Sequence, residues 1–389
     1  MSKKISTPSG GGGRDWAAYD AAQMNEKSLF LKILWELCQG VEDREWMTGR
    51  RPLRLRDMVF CLTFKVYSMK SARRFTDDLR EMQAKGLIEM VPSPTSLGEY
   101  MRSEAVSAVL RHLLVQSSLP LSEAESVFAV DSTGFSLPRR RVWFNKHTNR
   151  REKRRDYMKL HAMVGVKTNI ITYAEMTEGT VSDMNYLKHL VAGTARYFNI
   201  SEVSADAGYL SSENMYTVLL HGGIPYIAFK KNNALDADYK STFWKDMLYL
   251  WKAKHPIFTE HYFLRNNVEA TFHAMKAKFG GRLHSKSTGG QFSEALAKAL
   301  CHNICVLIRS MCELGIDPLG WSEKTPRPLC VGRPLTEAVA HRKDDLLEIR
   351  KAAGDRQLPS QEETVPRRSR RARLRRGVGP ASGQISLFD

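Results

Sequence analysis

Val127-Phe-Ala-Val-Asp131-Ser-Thr-Gly134 and Val203-Ser-Ala-Asp206-Ala-Gly-Tyr209 decide the fold. Each is a short run of apolar or small residues that stops at an aspartate. Such runs, bounded by turn-forming residues, read as buried strands of an α/β sheet. Both aspartates then sit at the C-terminal ends of predicted strands, where open α/β sheets collect their ligand sites. If the two strands are neighbours, the carboxylates face each other and repel unless a cation or a proton intervenes. A third acid, Glu269, follows in a spaced stretch, Tyr262-x2-Arg265-x3-Glu269-x6-Lys276. Three acids brought to one point suit two divalent cations held ~4 Å apart, the arrangement that activates an attacking oxygen and stabilises a leaving one in phosphoryl transfer.

Outward from these stretches the period of the apolar residues changes twice. Residues 1–18 are polar and glycine-rich and are expected to be disordered. From 19 to 120 the spacing is helical: NEKSLFLKILWELCQG ends at Gly40, and the helix near SARRFTDDLREMQAKGLI stops at Gly86. A Pro-Ser-Pro turn leads to a helix start at Thr95 or Ser96. This region is expected to be an all-helical domain for DNA binding or dimerisation. Residues 121–315 read as strand, then two or three strands turning at 147–150 and 167–169, then strand–helix units. That order implies a mixed sheet with helices on its faces. Ser182 or Asp183 caps the helix after the third strand. An aromatic-rich insertion at 232–262 precedes the glutamate. Beyond 316 the chain is polar, with one amphipathic piece ending at Gly354 and then an Arg-rich tail expected to be disordered.

At ~100° per residue, Tyr262, Arg265, Glu269 and Lys276 fall within roughly 60° on one helical face. Asn266 or Asn267 as an N-cap would instead leave Tyr262 and Arg265 in the preceding loop. Trp244, Leu248 and Trp251 share a face and read as a packing stripe, with base stacking as the sharper alternative. Cys301, His302 and Cys305 lie in a helical pattern without a second ligand pair, so helix packing is expected rather than zinc. The six cysteines form no framework, consistent with a reducing cytoplasm.

The net charge of +17 favours a polyanionic partner, nucleic acid first. The basic stretch around Arg150, Arg151, Arg154 and Arg155 reads as a hairpin that grips phosphates beside the acids. No run of residues approaches the ~20 apolar positions of a spanning helix, and the opening residues lack the apolar core of a signal peptide.

The spaced Tyr-Arg-Glu-Lys stretch, the DSTG context of Asp131, the ADAGY context of Asp206 and the stretch from Lys159 through His161 to Gly165 resemble the DDE transposases of bacterial insertion sequences, the group carrying a Y-(2)-R-(3)-E-(6)-K signature. The resemblance covers residues 120–315 well and the helical region loosely. It implies an RNase H-like fold and a cytoplasmic enzyme that cuts transposon ends and transfers them to target DNA, as a homodimer on paired ends. It implies two Mg2+ ions, replaceable by Mn2+, on Asp131, Asp206 and Glu269. Tyr262, Arg265, Lys276 and Lys159 would contact DNA. Alternatives are a nuclease or resolvase without strand transfer, and a domesticated DNA-binding protein. At the end of the tail, Gln384, Ile385, Ser386, Leu387 and Phe388 resemble the peptide by which bacterial DNA-processing proteins dock onto the replication sliding clamp.

Overall fold

The central strand, β1 (Val127–Ser136), is flanked by β2 (Tyr157–Gly165) and β3 (Ile171–Glu178) on one side and by β4 (Glu202–Ala205) and β5 (Ile224–Ile227) on the other, giving the order β3-β2-β1-β4-β5. β1, β2 and β3 form an antiparallel meander, whereas β4 and β5 run parallel to β1. A short turn joins β2 to β3, and Asn169, at φ 64°, supplies its left-handed residue. The parallel strands need crossovers, which the helices Leu187–Ala195 and Ser212–Leu220 provide. This computed structural model describes residues 15–43, 47–49, 51–138, 157–230, 241–319 and 342–354, all within the unit Met1–Gly354; a second unit comprises Asp355–Asp389.

Alternation along β1 sends its residues to two different cores. Phe128 and Val130 join Leu187, Leu190, Val218 and Met247 on one face. Ala129 and Phe135 join the other, which includes six N-terminal helices between Trp16 and Gln116 and the long helix Thr288–Leu314. The N-terminal helices therefore share a core with the sheet. The helix starting at Pro94, capped by Ser93, begins a residue or two before the expected point; Pro at the first position suits a turn whose N–H would be unpaired anyway.

Thr288–Leu314 is long and apolar enough, by composition alone, to cross a bilayer, which reading the sequence for uninterrupted apolar runs did not reveal. It is a core helix: Ala295, Leu296, Ala299, Leu300, Ile304 and Leu307 are buried, and it touches five of the N-terminal helices as well as β3. Cys301 donates to the Thr63 carbonyl and His302 to that of Asn169, so both serve packing as expected. The aromatic insertion is helical over Thr242–Lys252 and Pro256–Phe263. Trp244 meets Phe229 edge-on at 5.1 Å, Leu248 is buried, and Trp251 packs against Phe258 and Tyr262, which makes this a packing stripe.

Candidate active site

Asp131 does not end its strand. It is the fifth of ten residues in β1, paired with Ala162 of β2, and the antiparallel ladder continues to Ser136. What ends near Asp131 is the parallel pairing with β4, whose last register is Val130 with Ala205. The apolar run stops there because Ser132 and Thr133 follow, yet the hairpin partner keeps the backbone extended. Asp206 stands one residue beyond β4, at the position that follows the Val130–Ala205 pair just as Asp131 does. Its carboxylate accepts from the Ala207 N–H at 2.7 Å and caps the short 3-10 turn Ala207–Tyr209. The two acids thus leave adjacent strands at the same level of the sheet.

Glu269 arrives in the first turn of the helix Asn266–Phe279, but Tyr262 belongs to a separate helix, Pro256–Phe263. Leu264 and Arg265 form the joint, both with right-handed helical backbone. The expected single face is therefore split over two helices, and Tyr262 lies in a helix rather than a loop. The joint is tight, with the Arg265 N–H donating to the Tyr262 carbonyl and the Val268 N–H to that of Arg265. It keeps the four signature residues on the same side of the sheet.

Arg265 organises the acids. Its guanidinium donates to Asp131 Oδ2 at 2.8 Å and lies 2.6 Å from Glu269 Oε1, so one fork spans two of the three carboxylates. Asp131 Oδ1 accepts from the Ser132 N–H at 2.8 Å. Burial raises the pKa of Asp131; Ser132 and Arg265 oppose the rise, and the charges of Asp206 and Glu269 add to it. Asp131 is therefore close enough to both Asp206 and Glu269 to sense their charge. Burial likewise raises the pKa of Tyr262, which senses Arg265, Asp206 and Asp131 in turn. The Arg265 Nε is buried without a partner.

Lys276, the last signature residue, donates to the Gly134 carbonyl at 2.8 Å and lies over the Phe135 ring. Burial lowers its pKa. Arg265 and Lys276 hence pin both ends of the glutamate helix to the same strand, one through Asp131 and the other three residues further on.

Behind Asp131 and Asp206 is a second polar cluster whose connections could not be foreseen from sequence. Lys159, expected on DNA, has a mostly buried side chain whose ammonium donates to Asp183 Oδ1 at 2.8 Å and to the Val181 carbonyl at 3.0 Å. His161 is fully buried and stacks on Tyr186. Its Nε2 is 2.9 Å from Thr177 Oγ1, and its Nδ1 is 3.4 Å from both Asp183 Oδ1 and Tyr209 Oη. Burial pushes the pKa of His161 down to about 4, against the pull of Asp183. Tyr209 closes the turn that Asp206 caps, so this cluster ties that turn to β2 and β3. Neither Ser182 nor Asp183 caps the α-helix as expected: Asp183–Asn185 is a 3-10 turn preceded by Ser182, which makes no side-chain cap, and the helix Leu187–Ala195 begins after Tyr186.

The carboxylates are hard oxygen donors that suit divalent cations such as Mg2+. The Arg265 guanidinium pairs with Asp131 and Glu269 and offsets their charge. Among the described residues, no three His, Cys, Asp or Glu are gathered closely enough to hold an ion as they stand. Asp131, Asp206 and Glu269 carry oxygen donors of the right kind, and Arg265 pairs with two of them. Arg150, Arg151, Arg154 and Arg155, and the terminal peptide Gln384–Phe388, lie outside the described residues.

A five-stranded mixed sheet of this order, with helices on both faces and acids at the edge of its parallel pairing, is consistent with an RNase H-like nucleic-acid-processing domain. Residues 122–304 match the family model described as a transposase DDE domain, which supports a DDE transposase and DNA as its substrate class. Searches of the curated proteins and of the solved structures gave no match.

Proposed function

We propose that the chain is an insertion-sequence transposase that cleaves DNA at transposon ends and joins the freed 3′ ends to target DNA. The observation that carries this reading is Asp131, Asp206 and Glu269 arriving from β1, the end of β4 and a crossing helix, with Asp131 near both other acids and Arg265 paired to Asp131 and Glu269. The domain match lends support over the residues that contain all three acids. Asp131, Asp206 and Glu269 would hold two Mg2+ ions, or Mn2+ in their place. When bound, such ions supply an activated water or hydroxyl and neutralise charge on the leaving oxygen.

The protein's own groups have the remaining tasks. Arg265, displaced from the acids, is the fork best suited to a phosphate, and Tyr262 is placed to hydrogen-bond a phosphate oxygen. Lys276 keeps the helix seated and contributes positive charge beside the DNA path. The Arg150–Arg155 stretch would bind flanking phosphates, two copies would act on paired ends, and the tail peptide would dock on the sliding clamp of a bacterial cytoplasm.

The test is cleavage and strand transfer by purified protein on a plasmid carrying the element's own ends, with Mg2+. Asp131→Asn, Asp206→Asn and Glu269→Gln should each abolish cleavage while end binding persists. Cleavage without joining would make the enzyme a nuclease or resolvase. Near-parental cleavage by any one variant would remove that residue from the catalytic set.

A further inference from the structure

A cavity of about 200 Å3 lies where the N-terminal helices meet the start of the long helix Thr288–Leu314. Leu62, Leu97 and Met101 form its apolar floor, and Lys65, Arg102 and Lys286 stand around it with Ser285 and Ser287. Among the described residues, no hydrogen bond or ion pair engages any of the three cationic side chains. The nearest acid to Lys65 by charge is Glu294. Its carboxylate is already committed to the N–H groups of His284 and Ser285. Burial lowers the pKa of Lys65, while the charge of Glu294 favours its charged form.

Two glycines stand at or beside the cavity. A Cβ on Gly289 would come within 2.8 Å of the Arg102 carbonyl oxygen, so glycine lets the long helix approach the end of the helix Pro94–Met101. At Gly98, which lines the cavity, a Cβ would meet nothing within 4 Å. The loop Gly280–Ser287 links this place to the candidate active site. At one end it pairs with Ser136 at the end of β1, and at the other it forms the cavity wall. The ten steps from Glu269 to Phe279 rise about 15 Å along the helix, a distance of about four base pairs along B-DNA.

We propose that Lys65, Arg102 and Lys286 form a phosphate-binding subsite that holds the backbone of double-stranded DNA beside the segment being cut. This rests on the transposase reading and deepens it: the subsite joins residues inside the matched domain to residues of the helical region before it. The partner is chosen by charge complementarity, three uncommitted cations on a protein of net charge +17. The Ser285 and Ser287 hydroxyls add O–H donors of the kind that phosphate oxygens accept, Ser287 Oγ meanwhile accepting from the Gly290 N–H.

The test uses the full chain and a duplex carrying a transposon end. Lys65 and Lys286 should be acylated by an amine reagent in the free protein and protected in the complex. Replacing Lys65, Arg102 and Lys286 by Gln should flatten the log–log salt dependence of binding by about 0.9 for each phosphate no longer neutralised, up to about 2.7. Gly98→Glu is the second variant. It places a carboxylate in the open cavity at a helical position where glycine is the poorer helix former, so folding is not at risk. It should weaken duplex binding at least tenfold at low salt. Parental affinity and salt slope in both variants, with the lysines unprotected, would overturn the subsite and leave the transposase reading standing. Failure of the parental protein to bind any duplex would overturn that reading, and the subsite with it.

Discussion

Lowering the pH should unfold this protein through two histidines that it keeps neutral. Burial holds His161 and His302 at pKa values of about 4, against an ordinary value of about 6.5. A depressed folded-state value means that the unfolded chain takes up the proton first. The stabilisation is therefore complete above about pH 6.5 and is lost as pH falls toward 4. Each histidine accounts for a loss of about 2 kcal/mol of stability at pH 5 and about 3 kcal/mol by pH 4. His161 is held by Thr177, Tyr209 and Asp183, and His302 by the Asn169 carbonyl, so the two share no partner and their effects should add. Other groups also titrate. His221 is lowered by burial, whereas Glu125 and Asp131 are raised and act in the opposite sense. The comparison must therefore be between variants. Urea unfolding followed by circular dichroism at about pH 7.5 and pH 5 gives the change in stability for the parent, His161→Gln, His302→Gln and the double variant. That change should shrink by about 2 kcal/mol in each single variant and about 4 kcal/mol in the double. An equal change in the parent and the double variant would refute the reasoning.

Arg265→Ala should tighten Mn2+ binding about fivefold, as expected from removing a competing ion pair worth about 1 kcal/mol, while cleavage falls; weaker Mn2+ binding by electron paramagnetic resonance titration would show that Arg265 does not stand in for a cation. Neutralising Arg150, Arg151, Arg154 and Arg155 together should flatten the salt slope of DNA binding by roughly 0.9 for each phosphate these arginines neutralise, and an unchanged slope would place them away from DNA. A fluorescent peptide ending in Gln384–Phe388 should bind purified sliding clamp at about micromolar affinity, with Leu387→Ala and Phe388→Ala abolishing it; equal titrations of parental and substituted peptides would remove the clamp from the account.

The signals in the sequence that survived folding were those with a local cause. Apolar runs ending at Asp131 and Asp206 marked neighbouring strands, and Gly40 and Gly86 marked helix stops, because backbone sterics and burial act within a few residues. The length of β1 was not legible. Ser132, Thr133 and Gly134 look like a turn in isolation, and only the facing strand Tyr157–Gly165 keeps them extended. The signature's spacing suggested one helical face, whereas the chain breaks at Arg265 and uses two helices to reach the same side. The spacing therefore records where the side chains must arrive rather than the helix that carries them. Lys159 shows the same limit from the opposite direction. A lysine near an acidic site in a basic chain reads as a DNA contact, but its partner, Asp183, lies 24 positions away and is brought to it by tertiary packing. Charge alone reveals which residues are able to meet phosphate. Which of them remain free to do so depends on the acids that the fold has already engaged, and that separates Lys159 from Lys65, Arg102 and Lys286.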